Sequence, residues 1–369
     1  MFRERVGMKF LVSRRVTGIV AVAALLSSLG IFPAQAAEYY EQYGLAPASA
    51  DLDLGIQPHG YPSGVLSAVM RRDRLMANAL TRLSAPLKTH PFQRGADMLP
   101  LLADQRLEAG LLGDVPTILT AAQGDVWIVG LVKQTSTSIV AKGDTQVRQL
   151  AGKRIGYVET SSAHHTLLQG LSSAGLTESD VKLVALRIDE MPAALEAGQI
   201  DAFAAWEPAP TAALALSPKN HTVFRGLSAD YFVISRSFEK RSPEAARILI
   251  AGFVRAIEFM RRSQKNAETA ANWAIADAQA FSPKANAIPT SQVVAITRRE
   301  LLNIPSAPAI LAPAGGSVLQ SEFRFLQDKG KLSKSGKWEN ITDALAYDGL
   351  SKVMGEQRRY EINTFDYAQ

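Results

Sequence analysis

The sequence predicts an α/β protein of two lobes, each lobe a mostly parallel β-sheet flanked by helices. A strand, a loop and a helix follow one another repeatedly from residue 51 onward, which is the pattern of a parallel sheet covered by helices. A second, similar round of strands and helices begins near residue 137. The chain has 369 residues, and two lobes account for this length better than one large sheet does.

The first round alternates short strands with loops rich in glycine and proline and with helices. Its opening strand has alternating polar and apolar residues and leads into the loop Pro58-His-Gly-Tyr-Pro-Ser-Gly64. The predicted elements are strand Asp51–Gln57, helix Val65–Leu83, strand Lys88–Phe92, helix Met98–Glu108, strand Ala109–Gly113, a helix beginning at Asp114, and strand Asp125–Val132.

The second round has four predicted strands and two helices, and a largely helical segment follows it. The strands are Ser138–Ala141, Lys153–Val158, Val181–Leu186 and Gln199–Ala204, with helices after Ser161 and Met191. A strand at Tyr231–Arg236 comes next, and the later helices are Ala245–Arg262, Ala267–Ala280, Thr290–Leu302, Ser317–Lys329 and Ile341–Ala346.

These elements predict the domain organisation. The expected parts are a signal peptide (1–36), the first part of lobe 1 (51–136), lobe 2 (137–228), the second, largely helical part of lobe 1 (229–350) and a tail (351–369). The polar segments Lys133–Ser138 and Arg225–Asp230 are expected to join the lobes. The polar end Gln357–Gln369 is expected to fray.

Residues 1–36 have the pattern of a cleavable export signal. A basic region precedes an apolar run at Val16–Phe32, and Ala34-Gln35-Ala36 is a small-x-small cleavage site. We therefore expect the mature protein to be exported to the periplasm. Met8 is an alternative start, and export by the general or the twin-arginine route stays open.

Composition excludes several classes of function. The chain contains no cysteine, which removes disulfides, thiol catalysis, iron–sulfur clusters, cysteine zinc sites and a lipoprotein anchor. The signal region carries +4 of the formal net charge of +5, so the mature chain is nearly neutral. It also has no basic stripe interleaved with aromatic residues, and we expect no nucleic-acid partner.

The segment around two adjacent serines is the best candidate for a binding site. The predicted strand Lys153–Val158 leads through Glu159 and Thr160 to Ser161 and Ser162, which begin a helix. Such a helix start offers free backbone N–H groups, hydroxyl donors and the positive end of the helix dipole, which together suit a small anionic group. The alternative is that one serine merely caps the helix.

Four segments carry a resemblance to a known family. They are LGIQPHGYPSG, GLLGDVPTILTAAQGDVWIVG, LAGKRIGYVETSSAHHTLLQGLSSAGLTESDVKLV and EMPAALEAGQIDAFAAWEP. From about Asp51 to Tyr347 the chain resembles the solute-binding proteins of ABC importers for sulfonates, taurine and nitrate, the NMT1/THI5-like family. The resemblance implies a periplasmic-binding-protein-like (type II) clamshell that binds its ligand between the lobes.

The same resemblance implies that Ser161, Ser162, Ala163 and His164 line the cleft and receive the acidic group of the ligand. This chain has Thr160 where the family usually has glycine, and a Cβ there narrows the approach of a ligand to the backbone. Arg94 follows the second strand and either pairs with the acidic group or faces solvent.

Other polar and aromatic residues of the loops are weaker candidates. His59 either contacts the ligand or fills its loop, and Tyr61 is expected to place its ring against the ligand. Trp206 ends a strand at the edge where α/β sheets bind ligands, and either stacks on the ligand or packs beneath the lobe. Glu207 either binds a ligand amine or pairs with Arg225.

Asp114 and Thr117 begin another helix on the cleft side. Thr117 is a candidate donor, and Asp114 suits a cap as well as a contact. His164 and His165 point about 100° apart on a helix, which is a poor geometry for one metal ion. We expect His164 near the ligand and His165 on the helix surface, with no metal site.

The sequence thus predicts an exported binding protein that captures a small organic anion, a sulfonate or taurine-like compound. The expected partners are an inner-membrane ABC permease and its ATPase, and the protein is expected to be a monomer without cofactors and without enzymatic activity. The alternatives are a nitrate or thiamine-precursor pyrimidine binder for the same kind of importer, or a sensor or enzyme on the same fold.

Overall fold

The computed structural model describes residues 43–282, 288–311 and 318–369. The predicted signal peptide lies outside the described residues. The chain divides into two compact units, Met1–Leu45 and Ala46–Gln369. Of the first unit the structure describes only residues 43–45, which include a turn. The second unit holds all the elements that follow.

The second unit is built on one eight-stranded sheet with the strand order β2-β1-β3-β8-β4-β7-β5-β6. Strands β1, β2 and β3 are parallel to one another, and so are β5, β6 and β7. The strands are β1 (Leu52–Ile56), β2 (Leu87–Pro91), β3 (Ala109–Gly113), β4 (Val126–Lys142), β5 (Arg154–Tyr157), β6 (Lys182–Ala185), β7 (Ala202–Ala205) and β8 (Asn220–Ser235). This arrangement confirms the predicted α/β fold class, but the expected sheets of the two lobes are halves of one continuous sheet.

The long strands β4 and β8 join the two parallel groups. They are antiparallel to each other along almost their whole length, from Val126↔Ser235 to Lys142↔Asn220. The first lobe is the half of the sheet that contains β1–β3, and the second lobe is the half that contains β5–β7. The predicted joining segments therefore lie inside two continuous strands. The polar residues of these segments gave no sign of a strand in the sequence. Hydrogen bonds between the paired backbones hold the two strands together here, and a periodic apolar pattern is absent.

Helices cover both faces of the sheet. They are α1 (Ser63–Met70), α2 (Arg74–Arg82), α3 (Leu99–Ala103), α4 (Asp114–Ala121), α5 (Ser162–Ser173), α6 (Met191–Glu196), α7 (Ala209–Leu216), α8 (Arg236–Arg241), α9 (Pro243–Arg262), α10 (Gln264–Phe281), α11 (Thr290–Thr297), α12 (Val318–Asp328), α13 (Trp338–Leu345) and α14 (Gly349–Gly355). In the second lobe, α5 packs on one face of the sheet, while α6 and α7 pack on the other.

The predicted helix Val65–Leu83 is two helices, because Asp73 interrupts it. The Asp73 carboxylate accepts a hydrogen bond from the Met76 amide and so caps α2. Its other oxygen is 2.7 Å from Nε of the buried Arg255 in α9. A buried carboxylate needs such partners, so this pair fixes α1 and α2 against the later helices.

The polar end of the chain is ordered, and the expected fraying is wrong. Tyr360 and Ile362 are buried, and Arg255 donates hydrogen bonds to the carbonyl oxygens of Tyr360 and Glu361. The backbone of Tyr367 forms an isolated antiparallel β-bridge with the backbone of Asp73. The chain end thus completes the layer around Asp73 and Arg255. Separately, the described helices include none that combines the length and apolar character needed to cross a membrane.

Candidate functional site

A small cavity of about 30 Å³ lies where the two lobes meet. Loops after the parallel strands supply most of its lining, since the carboxyl ends of such strands form the usual binding edge of an α/β sheet. The first lobe contributes Gln57, Gly60, Ser63, Arg94, Gly95, Ala96, Gly113 and Pro116. The second contributes Thr160, Ser161, Ser162 and Trp206, and the joining strands contribute Lys133, Thr137 and Asp230.

The N-terminus of α5 forms one wall of the cavity. Ser161 is the N-cap, and its hydroxyl accepts a hydrogen bond from the His164 amide at 3.2 Å and donates one to the Val158 carbonyl at 2.7 Å. Ser162 differs, because among the described residues neither its hydroxyl nor its amide has a hydrogen-bond partner. The two predicted serines therefore have different roles: Ser161 holds the helix start, and Ser162 offers donors to the cavity.

Thr160 adopts a backbone conformation that favours glycine. Its φ is 55°, in the left-handed region where a β-branched residue is strained. Its amide donates to His164 Nδ1 at 3.4 Å, and the residue lines the cavity. The turn from β5 into α5 requires this φ, which explains why glycine suits the position. Thr160 keeps the turn and adds a side chain to the cavity rim.

Lys133 places a buried ammonium group at the cavity. Its side chain is 2% exposed, and Nζ is 3.6 Å from Asp230 Oδ1. This separation is longer than a normal hydrogen bond, so the contact with Asp230 does not use all three donors of the ammonium. Burial lowers the pKa of Lys133, but the carboxylates of Asp230, Glu300 and Asp114 outweigh burial and raise it above its ordinary value. The lysine is therefore charged and has donors free for a ligand.

Asp230 lies opposite Lys133 in the adjacent strand. Its Oδ2 accepts a hydrogen bond from the Ser63 hydroxyl at 2.6 Å. Burial raises the pKa of Asp230 above its ordinary value, with Lys133 and Ser63 acting against that shift. Sequence reasoning missed both residues. The sequence did contain a signal for both. A single charged residue borders each apolar run at the joining segments: Lys133 follows Val132, and Asp230 precedes Tyr231.

Arg94 is on the cavity wall, and its charge is compensated. Its Nε and Nη2 contact both carboxylate oxygens of Asp97, the shortest distance being 2.5 Å. The side chain is 46% exposed, which puts it near the mouth. Of the two expectations for Arg94, the structure favours a residue that faces the cavity, although its charge is already shared with Asp97.

Trp206 also lines the cavity, and Gly60 makes room for it. A Cβ on Gly60 would lie 3.2 Å from the indole Nε1. The neighbouring Glu207 does not line the cavity. Its carboxylate accepts hydrogen bonds from the Thr211 amide and from Arg299. Of the two alternatives for Glu207, the pairing with Arg225 is not the one that forms, because Arg299 of the later helical segment reaches the carboxylate instead.

The first-loop residues His59 and Tyr61 are buried behind the cavity. His59 is 6% exposed, its Nε2 is 3.2 Å from the Ala278 carbonyl, and its Nδ1 is 3.8 Å from Asp189. Tyr61 is 3% exposed, and its amide donates to the carbonyl of Glu207. Both residues thus join the first-lobe loop to its neighbours, and neither is brought into the cavity lining.

Asp114 and Thr117 are fully buried and hydrogen-bond to the protein backbone. The Asp114 carboxylate accepts hydrogen bonds from the amides of Val115 and Ala229, and the Thr117 hydroxyl donates to the carbonyl of Gly113. The structure gives both a structural role. Pro116 is the residue of this helix turn that reaches the cavity.

Neither histidine of α5 lies where the sequence predicted it. His165 is 4% exposed, and its Nδ1 is 3.1 Å from Oε1 of the buried Glu322. The expected surface position of His165 is therefore wrong. His164 pairs with Glu178 and lies outside the cavity lining. Ala163 is buried beneath the helix in the core of the second lobe. His165 points about 200° around the helix from Ala163, away from the core of the second lobe, and it is buried because Glu322 and Phe325 of α12 cover that face.

Two lobes joined by a pair of long strands, with a cavity at their junction, form a two-lobed α/β clamshell. The NMT1-like family model matches residues 121–276, from the last residue of α4 through most of α10. These features confirm the resemblance inferred from the sequence.

Among curated proteins, one from Escherichia coli K12 named for the binding of aliphatic sulfonates is 32% identical over 129 residues, covering 33% of this chain and 40% of that protein. The taurine-binding periplasmic protein of the same organism is 27% identical over 165 residues, covering 42% and 52%. The chain thus spans about two fifths to one half of the length of these relatives.

Solved structures share the fold over most of the chain. The alkanesulfonate-binding protein SsuA from Xanthomonas axonopodis pv. citri, bound to MOPS, superposes with a TM-score of 0.60 at 23% identity, covering 81% of this chain and 99% of that one. The desulfurization enzyme DSZB superposes with a TM-score of 0.57 at 16% identity, covering 84% and 99%. Because these sequence identities are low, the superpositions show the shared fold only, and the chemistry has to be argued from the residues of the site.

Proposed function

We propose that this protein captures a small organic anion of the sulfonate class outside the cytoplasmic membrane and delivers it to an ABC importer. The observation that carries the proposal is the pairing of two donors across one cavity: the N-terminus of α5 at Ser162 and the buried ammonium of Lys133. A helix N-terminus and a lysine both stabilise an anion, and they do so most strongly where water is excluded.

The relatives support this choice of ligand. Two of them are named for aliphatic sulfonates and for taurine, and a structural neighbour is an alkanesulfonate-binding protein. The Trp206 indole and the Pro116 ring line the cavity beside the polar donors. These apolar surfaces suit a carbon chain better than they suit nitrate. Of the predicted contacts, we keep Thr160, Ser162, Arg94 and Trp206, and we add Lys133.

A binding protein fits the site better than an enzyme does. The fold is shared with a desulfurization enzyme, so the fold alone does not decide. The cavity lining contributed by the described residues includes neither histidine nor cysteine, and the Ser161 hydroxyl is used as a cap. A serine nucleophile would need a base within hydrogen-bond reach.

The remaining parts of the proposal follow from this role. We propose that residues 1–36 direct export to the periplasm and are then removed, and that the mature chain acts as a monomer. Its partners would be a permease of the inner membrane and the associated ATPase. We keep the proposed lobe boundaries near 136/137 and 228/229, which fall within the joining strands β4 and β8.

Calorimetric titration of the mature chain tests the proposal. We expect saturable binding, with about one site per chain, for at least one compound among ethanesulfonate, butanesulfonate and taurine, and weaker binding of nitrate. The ligand should be recovered unchanged after incubation. Binding only to a cationic or neutral pyrimidine, or turnover of the sulfonate, would refute the proposal.

A further inference from the structure

A buried carboxyl group lies behind the lysine of the cavity. Residues Arg298–Leu302 form one π-helical turn after α11, and this turn packs against β4, the strand that carries Lys133. Glu300 in this turn is 1% exposed and is not part of the cavity lining. Its Oε1 accepts a hydrogen bond from Arg299 Nη2 at 2.7 Å, whereas its Oε2 is buried without a hydrogen-bond partner among the described residues. An ionised carboxylate with an unpartnered buried oxygen is unfavourable, and the neutral form avoids most of this penalty.

Three charged groups on three different segments face Glu300. Lys133 comes from β4, Arg299 from the same π-helical turn, and Glu207 from the loop that follows β7. Burial is the main influence and raises the pKa of Glu300 to about 7, the Glu207 carboxylate acts in the same direction, and Lys133 and Arg299 act against it. Glu300 therefore changes its charge near neutral pH, whereas a glutamate in water is fully ionised there.

The charge of Glu300 determines how much of the Lys133 charge is available to a ligand. Lys133 already has the Asp230 carboxylate 3.6 Å away, and Glu300 is the next carboxyl group that acts on it. When Glu300 is ionised, two buried carboxylates share one ammonium ion, and an anionic ligand meets an excess of negative charge. Like charges brought together in a site with little water oppose binding. The ligand anion and an ionised Glu300 therefore compete for Lys133.

We propose that Glu300 is a positioning residue that acts through Lys133, and that the protein takes up a proton at Glu300 when it captures its anion. This inference rests on the proposed function and adds a control of its affinity by pH. The bound anion stabilises the protonated form of Glu300, so the complex holds a proton at pH values where the free protein has lost it. Affinity for the anion then falls as the pH rises above about 7, and it is insensitive to pH well below 7, where both states are protonated.

Calorimetry in two buffers with different enthalpies of ionisation measures the proton uptake. The probe is whichever of ethanesulfonate, butanesulfonate and taurine binds most tightly, since none of them changes its charge between pH 5.5 and pH 7.5. If the anion raises the pKa of Glu300 by one unit, the complex takes up about half a proton at pH 7.5 and almost none at pH 5.5, and the dissociation constant is about threefold higher at pH 7.5. Binding without proton uptake at pH 7.5 would overturn the inference and leave the proposed function intact.

The variant Glu300→Gln assigns the proton to this residue. It should bind the probe without proton uptake and with the same affinity at both pH values. The matched control is Glu108→Gln, because Glu108 is 2% exposed, burial raises its pKa to about 7 as well, and it lies outside the cavity lining. This control should keep the proton uptake of the wild type. Uptake that persists in Glu300→Gln would contradict the assignment.

A second variant, Arg299→Met, makes the test independent of whether Glu300→Gln folds. The Arg299 side chain is 54% exposed, and its loss removes a positive charge that lowers the pKa of Glu300. More of the free protein is then already protonated, so proton uptake at pH 7.5 should decrease and the fall in affinity should move to higher pH. Unchanged uptake in Arg299→Met would contradict the assignment. Failure of all three compounds to bind the wild-type protein would refute the proposed function itself.

Discussion

Lys133 and Asp230 face each other across the pair of strands that joins the two lobes, with the ammonium and carboxylate groups 3.6 Å apart. The same two residues line the cavity. The junction of the lobes and the binding site therefore share their central charges. A ligand that contacts either group acts directly on the strands through which one lobe connects to the other.

Replacing Lys133 by methionine should remove most of the affinity for the sulfonate. A hydrogen bond to a charged group contributes about 1.5–3 kcal/mol, so the dissociation constant should rise at least about tenfold. The matched control is Lys142→Met, further along the same strand, where the lysine pairs with Glu196 on the surface. Calorimetry on both variants compares them, and unchanged affinity in Lys133→Met would show that the anion binds elsewhere.

Substitutions of the two adjacent serines should have different effects: loss of the Ser161 hydroxyl should lower stability, and loss of the Ser162 hydroxyl should weaken ligand binding. Ser161→Ala removes the helix cap and should lower the free energy of unfolding by about 1 kcal/mol. Ser162→Ala should leave stability nearly unchanged and weaken ligand binding several-fold, since one neutral donor is lost. Thermal unfolding without ligand, together with calorimetry, checks both variants. The reverse pattern would contradict the roles assigned to these hydroxyls.

Thr160 should tolerate glycine better than alanine. At a φ of 55° a residue with a Cβ costs roughly 1 kcal/mol relative to glycine. Thr160→Gly should therefore be more stable than Thr160→Ala by about that amount in urea unfolding. Equal stability of the two variants would mean that the turn does not hold this residue in the left-handed region.

The contributions of Glu300 and Glu108 to the free energy of unfolding should fall as the pH rises from about 5 to about 7. Burial raises the pKa of Glu300 to about 7, against the opposing effect of Lys133 and Arg299, and burial likewise raises the pKa of Glu108 to about 7. Each group holds its proton in the folded chain at pH values where the unfolded chain has lost it, so unfolding releases protons in this range and the free energy of unfolding decreases.

The variant Glu300→Gln should flatten this pH dependence. Its control is Glu196→Gln, because hydrogen bonding to Asn220 and Lys142 lowers the pKa of Glu196 and moves its titration below this range. Urea unfolding between pH 5 and pH 7.5 measures the slope for each protein. A slope in Glu300→Gln as steep as that of the wild type would be inconsistent with a buried, protonated Glu300.

Local patterns predicted the parts of the fold and site that depend on neighbouring residues. The strand at Lys153–Val158, the cap at Ser161 and the free donors of Ser162 follow from a few consecutive residues, and the structure contains all three. The resemblance to solute-binding proteins also required only segments in order along the chain.

Contacts between distant segments could not be predicted in the same way. Lys133 and Asp230 meet because β4 and β8 pair, and nothing in either segment alone reveals its partner. The pairing of Glu207 with Arg299 and the burial of His165 against Glu322 depend equally on how the later helices return to the sheet. The chain end was misjudged for the same reason, since its partners Asp73 and Arg255 lie in distant helices.

The central claim is that an anion binds between the N-terminus of α5 and Lys133. A crystal structure of the mature protein in complex with taurine or ethanesulfonate, whichever compound binds more tightly, tests it most directly. The account predicts sulfonate oxygens within hydrogen-bond distance of the Ser162 amide or hydroxyl and of Lys133 Nζ. A sulfonate found instead in a separate cavity, which His164, Glu178 and Lys329 line, would contradict it.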